Sequence, residues 1–296
     1  MPELPEVQAM ATDLGSRLDG RTIERLEIVS FAALKTFDPS PSALNGTVID
    51  GVSRHGKFLD ITTSAEDTGG VMAGELHIVM HLARAGWIRW RDAPPPPATR
   101  PARGALAARL VLEGGSGLDI TEAGTKKSLA IYLVADPMDV PGIARLGPDP
   151  LDTAFTEQSL ARILHGAGRS QIKGVLRNQS FIAGIGNAYS DEILHVARMS
   201  PFKPATMTPD EIHRLFVAIG TTLQDALERA DGLAASELKR EKKSGMRVHG
   251  RTGQACPACG DTVREVRFAD STLQYCPTCQ TGGKPLADRV LSRLLK

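Results

Sequence analysis

Met1-Pro2-Glu3-Leu4-Pro5-Glu6-Val7 opens the chain, and apolar residues recur at Leu4, Val7, Ala11, Leu14 and Leu18. This is the spacing of a helix with one apolar face, and Gly20 follows as a stop. A helix here buries one side, so the start of the chain is anchored to a core. Two uses of the stretch remain open. As a helix start, it has Pro5 in the first turn and Glu3 and Glu6 facing the positive end of the dipole. As chemistry, it offers Pro2, because a methionine before a small residue is normally removed and the proline nitrogen is then a secondary amine. An N-terminal amine titrates at roughly 7.7–8.0, so part of it is unprotonated and nucleophilic near neutrality. Attack on a sugar aldehyde carbon gives an iminium ion, and Glu3 alongside supplies a proton if burial favours its neutral form.

The next region changes period. Short strands are predicted over 22–29, 46–52, 58–62, 76–80, 86–91, 107–112, 118–121 and 129–134, separated by glycine, proline and polar clusters. Many short strands without helices between them read as a sandwich or barrel. The run Pro94 to Pro97 reads as an exposed loop tip. Three polar interruptions carry charge: Arg54-His55-Gly56-Lys57, Met80 to Gly86 with His81 and Arg84, and Thr125-Lys126-Lys127-Ser128. The first is a solvated loop or a phosphate contact, with Gly56 allowing close backbone approach, and the other two are polar interruptions that carry little by themselves.

Residues 136–150, with four prolines and glycines at 142 and 147, read as a linker. Helices follow: one over 157–165, one capped by Ser170 and carrying Ile172, Val175 and Leu176, one through 190–198, and a long one behind Thr208-Pro209-Asp210-Glu211. That tetrapeptide is a capping box with proline at the first helical position. Between the second and third helices, Gly184-Ile185-Gly186-Asn187 is either a tight interhelical turn or a phosphate clamp at a helix start, with Lys173 adding charge. Residues 236–251 form a basic stretch that is either a solvated face or a DNA-facing loop.

All four cysteines sit in two knuckles, Cys256-Pro-Ala-Cys259 and Cys276-Pro-Thr-Cys279, sixteen residues apart. This is zinc-ribbon spacing. Four thiolates close a tetrahedron without a position for water, so the predicted zinc is structural and folds a hairpin of strands over 262–268 and 272–275. With no cysteine left for a disulfide, the usage fits a reducing cytosol. The 296 residues suffice for two domains, and a net charge of +1 confines any DNA affinity to local patches. No apolar run is long enough to span a bilayer, and acids stand where a secretory signal would carry bases.

Together these stretches resemble the formamidopyrimidine-DNA glycosylase and endonuclease VIII family. The resemblance rests on Pro2 to Val7, Gly56-Lys57, Gly184-Ile185-Gly186-Asn187-Ala188-Tyr189 with Asp191-Glu192, and Cys276-Pro-Thr-Cys279-Gln280. It implies an α+β fold: an N-terminal helix with a two-sheet β-sandwich (1–135), a linker (136–150), a helix–two-turn–helix domain (151–250), and a zinc ribbon with a tail (251–296). It implies a DNA repair enzyme that flips a damaged nucleotide out of the duplex, cleaves its N-glycosidic bond and eliminates the phosphates. Pro2 would be the Schiff-base nucleophile, Glu3 the acid–base group, and Lys57 a contact to phosphate near the reacting sugar. His55, Arg84, Lys126, Lys127, Lys173, Asn187, Arg264 and Arg267 would contact DNA, and Cys256, Cys259, Cys276 and Cys279 would hold one zinc ion. The substrate would be duplex DNA with a damaged base or abasic site, acted on by a cytoplasmic monomer at a bacterial nucleoid. Oxidised purines of the formamidopyrimidine or 8-oxoguanine kind are favoured by the N-terminal match, with oxidised pyrimidines or a damage-binding paralogue as alternatives. Three positions depart from the family. Arg84 stands where a void-filling methionine is common, and Lys126-Lys127-Ser128-Leu129 replaces an aromatic wedge, leaving Leu129 as the candidate wedge. Asp270 and Ser271 stand where the zinc hairpin carries an arginine, with Arg264 or Arg267 as substitutes.

Overall fold

The computed structural model describes residues 1–65, 74–93, 105–269 and 271–287. Pro94 to Pro97, Asp270 and most of the tail lie outside the described residues. The chain forms two compact units, residues 1–145 with 230–239, and residues 146–229 with 240 onward.

In the first unit the apolar stripe of the N-terminus becomes helix α1 (Leu4–Leu18), with Leu4, Val7, Met10, Ala11, Leu14 and Leu18 buried. Removing these side chains from water stabilises the unit by on the order of 10 kcal/mol, an upper figure because the unfolded chain already hides some of that surface. The eight expected strands are present as β1 (Ile23–Ile28), β2 (Thr47–His55), β3 (Phe58–Ala65), β4 (Leu76–His81), β5 (Gly86–Arg91), β6 (Leu106–Leu112), β7 (Gly117–Glu122) and β8 (Ala130–Val134). They make two four-stranded antiparallel sheets, ordered β1-β6-β7-β5 and β2-β3-β4-β8. One core joins both sheets and the helix, with Leu14, Leu18, Ile23, Leu110 and Ile120 in the same cluster as Ile49, Leu59, Ile78 and Ile131. The alternation in β7 shows why: Leu118 and Ile120 point in, while Asp119 faces outward to Arg109 at 2.6 Å and Arg91 at 3.3 Å.

Arg54 and His55, read from sequence as part of a loop, are the last residues of β2 and pair with Leu59 and Phe58. Ladder hydrogen bonds override the polar composition, so the connection shrinks to Gly56 and Lys57, with Gly56 at φ +56 as a two-residue hairpin requires. Residues 230–239, placed in the helical region by the sequence reading, pack with the sandwich. Ala230, Ala235 and Leu238 join its core, Trp87 Nε1 donates to Ala235 O at 3.0 Å, and Ala235 N donates to Asp13 Oδ2 at 3.2 Å.

The second unit is helical: α2 (Glu157–Ala167), α3 (Ile172–Arg177), α4 (Asn187–Val196) and α5 (Pro209–Ala230), followed by α6 (Leu238–Gly245). The capping box of α5 forms as predicted, with Thr208 N donating to Glu211 Oε2 at 3.0 Å and Glu211 N to Thr208 Oγ1 at 3.4 Å. Helix α3 starts one residue later than expected, with Gln171 as N-cap, because Gln171 bridges Pro204 and Ile172 N donates to Lys203 O at 2.8 Å. The basic stretch is helical over α6 rather than a loop; Lys242 lies 4.7 Å over the Tyr189 ring and Arg229 bonds Glu241 at 2.7 Å. The cysteine knuckles flank a hairpin of β9 (Arg264–Arg267) and β10 (Thr272–Tyr275), and the second knuckle runs into a short helix, α7 (Pro277–Thr281).

Candidate nucleic-acid interface and metal centre

The start of α1 turns out to serve as a cap and as a buried group at once. Glu3 is the N-cap in extended backbone, and its N–H donates to Glu6 Oε2 at 2.8 Å in a reciprocal capping box. Pro2, Glu3 and Glu6 are buried, while Met1 is 44 % exposed. Arg54 fixes the neighbouring hairpin to this helix: its Nε donates to Gln8 Oε1 at 3.0 Å and its Nη1 to Gly56 O at 3.0 Å. That places the Gly56–Lys57 turn beside the first turns of α1. Lys57 is itself 7 % exposed.

Next to Lys57 lies His81, which the sequence marks only as part of a polar interruption between strands, with no role of its own. His81 pairs with Phe58 across β3 and β4, with ring centroids 4.8 Å apart. Burial, together with the Lys57 ammonium, pushes its imidazole down to about 4, so a neutral ring faces a cation. The available signal was cross-strand register, which places the end of β4 opposite the residue after Lys57.

His55 has a different placement from the one expected. Its Nε2 lies 3.0 Å from Asp60 Oδ2, and the buried Asp60 is shared with His77 Nδ1 at 3.1 Å. His55 therefore completes a histidine–carboxylate cluster in the sheet instead of standing free at a loop. Arg84 is exposed at the apex of a tight turn, where Gly86 N donates to Leu82 O at 2.8 Å and Ala83 takes φ +49. Lys126 and Lys127 are exposed, and Glu122 Oε1 secures the end of their loop by accepting from Ser128 N at 2.7 Å and Leu129 N at 3.0 Å. Leu129 is 1 % exposed and part of the core, so it is not available as a wedge.

In the second unit the start of α4 is a polar hub. Lys173 Nζ donates to Asp191 Oδ1 at 2.6 Å, Ser190 Oγ at 2.7 Å and Asn187 O at 3.1 Å. An ammonium has three N–H groups, and these three partners account for them. Expected as a phosphate contact, Lys173 is instead a buried cation that holds the helix start. Asn187 Nδ2 donates to Thr272 O at 2.8 Å, so the amide ties α4 to the hairpin strand β10. Asp191 Oδ2 binds His249 Nδ1 at 2.8 Å and accepts from Gln274 N at 3.2 Å. Glu192 accepts from the backbone N–H of Arg247, Val248 and His249 at 2.6, 3.0 and 2.8 Å. Burial pushes its carboxyl above the ordinary range against those three bonds. The Asp191-Glu192 pair thus organises the whole approach to the metal motif.

The sulfurs of Cys256, Cys259, Cys276 and Cys279 lie within 4.8 Å of one another, with Cys256 to Cys279 at 3.9 Å and Cys259 to Cys276 at 3.4 Å. Tetrahedral zinc with bonds of about 2.3 Å requires sulfurs about 3.8 Å apart, so the set fits the ion. His195, on α4, places Nε2 3.2 Å from Cys256 Sγ, while its Nδ1 is buried without a partner among the described residues. In the tautomer protonated at Nε2 the ring donates to the Cys256 sulfur and supports that ligand from outside the metal's own shell. Arg264 and Arg267 are both exposed on β9. Arg267 pairs with Thr272 beside the hairpin turn and bonds Glu265 at 2.7 Å, while Arg264 lies three residues, or about 10 Å, further down the strand.

Sequence models of this architecture match in chain order: the formamidopyrimidine-DNA glycosylase N-terminal domain over residues 1–125, its H2TH domain over 146–237, and the zinc finger found in FPG and IleRS over 253–282. The formamidopyrimidine-DNA glycosylase of Symbiobacterium thermophilum is 34 % identical over 290 residues, covering 95 % of this chain and 89 % of that one. The chain belongs to the formamidopyrimidine-DNA glycosylase family. Its fold is that of the MutM (Fpg) protein of Thermus thermophilus, with a TM-score of 0.75, 32 % identity, and coverage of 96 % of this chain and 100 % of that one. A Lactococcus lactis Fpg in complex with Fapy-dG DNA gives a TM-score of 0.78 at 25 % identity, covering 94 % and 100 %. As a family member the chain is a DNA repair glycosylase of the bifunctional kind, with abasic-site lyase as its second activity. Its four cysteines hold one structural zinc ion. Among the described residues no helix is long and apolar enough to cross a membrane.

Proposed function

We propose that this glycosylase removes oxidised purines of the formamidopyrimidine and 8-oxoguanine kind from duplex DNA, and cuts the strand through a Schiff base on Pro2. The observation that carries the reading is the placement of Pro2 and Glu3, both buried at the start of a helix whose opposite face is locked into the sandwich core. A nucleophile needs that immobility, because effective molarity depends on a held geometry. With Met1 removed, the Pro2 nitrogen attacks C1′ of the extruded nucleotide and the bond from C1′ to the base breaks, the base leaving with a proton. The sugar ring opens to an iminium ion, Glu3 exchanging the proton at the ring oxygen. Loss of a C2′ proton into that electron sink expels the 3′-phosphate, and a second elimination expels the 5′-phosphate. Water then hydrolyses the iminium and frees Pro2.

Lys57, with neutral His81 at its side, is assigned the phosphate next to the reacting sugar. The start of α4, with Asn187, is assigned a second phosphate, held in shape by Lys173 from behind. Arg84, Lys126 and Lys127, all exposed, are assigned to the duplex on either side of the lesion, and Arg267 to the strand beside the hairpin turn. Zinc enters no step; it shapes the hairpin. Support for the lesion class comes from the relative captured on Fapy-dG DNA.

Borohydride reduction of the protein with abasic-site duplex tests the nucleophile. A covalent adduct is expected from the wild type and none from Pro2→Gly. An adduct of equal yield from Pro2→Gly removes Pro2 from the chemistry. Single-turnover incision of 8-oxoguanine, formamidopyrimidine and thymine glycol duplexes ranks the lesions, and faster cutting of the oxidised pyrimidine would overturn the purine assignment.

A further inference from the structure

Helix α4 ends at Ala197, and the next residue, Arg198, takes φ +53. Helices commonly end in this left-handed conformation, but on glycine, because a Cβ there meets the following carbonyl. Here the position carries an exposed arginine. Its side chain borders a groove of 610 Å³ between the end of α4 and the first half of α5. The floor is apolar: Val196 and Ala197 from α4, Val217 and Ala218 from α5. Val217 is 45 % exposed there. His213 and Arg214 lie one helical turn before Val217 and Ala218, so the four share a face of α5.

Two of the neighbouring carboxylates are already bound. His213 Nδ1 holds Glu157 at 2.8 Å, and Lys203 holds Glu211 at 2.8 Å. Among the described residues Arg198 and Arg214 make neither an ion pair nor a side-chain hydrogen bond. The groove is also remote from the Asn187 end of α4. Ten helical residues put about 15 Å between the two ends.

We propose that this groove docks a short acidic segment of a partner protein, its carboxylates on Arg198 and Arg214 and one apolar side chain on the Val196, Ala197, Val217 and Ala218 floor. Two guanidiniums over an apolar floor match a carboxylate next to a hydrophobic anchor. A phosphodiester backbone offers nothing for the floor to bury, which favours peptide over nucleic acid. A left-handed arginine is the kind of local strain that persists at binding positions.

Fluorescence anisotropy of the zinc-loaded full chain tests this, using a labelled hexapeptide of four aspartates followed by two leucines. Saturable binding is expected, weakened by at least about tenfold when the leucines become serines, and similarly by Arg198→Gly or Arg214→Ser. Arg198→Gly relieves the left-handed strain, so its melting temperature should hold or rise while peptide binding is lost. A residue of purely structural value would show the reverse. Incision of abasic-site duplex by both variants should match wild type. The proposal is overturned by absence of peptide binding up to about 1 mM, by binding that ignores the leucines, or by unchanged binding in the double variant. It is equally overturned if the double variant loses duplex affinity as strongly as Asn187→Ala, since the groove would then belong to the DNA footprint.

Discussion

At the residue scale, the most consequential side chains are buried charges and polar groups whose partners are distant in sequence. Lys173 is the sharpest case. Removing its ammonium leaves Asp191, whose side chain is 0 % exposed, without its cation. Lys173→Met is expected to destabilise the protein by about 3–5 kcal/mol, the usual cost of stranding one partner of a buried pair. Urea denaturation measures it, and a loss below about 1 kcal/mol would mean that the lysine is not the internal tie described. His81 gives a prediction in pH. Its folded-state value of about 4 lies below the unfolded value of about 6.5, so the unfolded chain takes up the proton first. The stability due to neutral His81 is complete above about pH 6.5 and falls as the pH drops toward 4. A ring titration by NMR should show a midpoint near 4, and Lys57→Met, which removes the nearby cation, should raise it.

Elements explain why these residues sit where they do. Helix α1 has to be a helix for its apolar stripe to pack, and its N-cap then places Glu3 and Pro2 in one buried spot. The β2–β3 hairpin closes in two residues because Gly56 accepts a positive φ, and that closure sets Phe58, the residue after Lys57, opposite His81 at the end of β4. The turn that displays Arg84 is as tightly constrained. A Cβ on Gly86 would lie 2.1 Å from Leu82 O, a backbone atom that cannot swing away. Gly86→Ala is expected to cost at least about 1–3 kcal/mol, as overpacking does, and to move the Arg84 tip. Thermal denaturation reads the first effect and duplex affinity the second. An unchanged melting temperature would show that the turn yields more easily than its geometry implies.

For the molecule as a whole, metal and polar hub combine to give the hairpin its shape. Its own core is small: Val248, Cys256, Val263 and Cys276 form one cluster, and Val266, Leu273 and Tyr275 another. Clusters of this size do not hold a fold alone, so the zinc ion supplies the remaining stability. Chelation is expected to abolish duplex binding and expose the amides of β9 and β10 to exchange, while the strands of the sandwich stay protected. Hydrogen exchange with and without chelator checks this, and retained protection of β9 and β10 would show a hairpin that folds without metal. The polar hub adds a second tie, since Asp191 and Glu192 hold His249, Gln274 and the backbone of 247–249.

Much of this was legible in the chain alone. The stripe from Leu4 to Leu18, the eight short strands, the Thr208 capping box and the two cysteine knuckles are local patterns, set by the periods of helix and strand and by ligand spacing. Family membership followed from Pro2-Glu3 and the cysteines together. Tertiary structure alone decided what the polar residues do. Lys173 and Asp191 are eighteen positions apart, and only folding makes them a pair. His55 was drawn onto Asp60, Leu129 into the core, and His81 against Lys57. A side chain's type is written in the sequence, but its burial and its partner depend on which distant strands and helices meet. Those two quantities determine whether a charge grips DNA or holds the protein together.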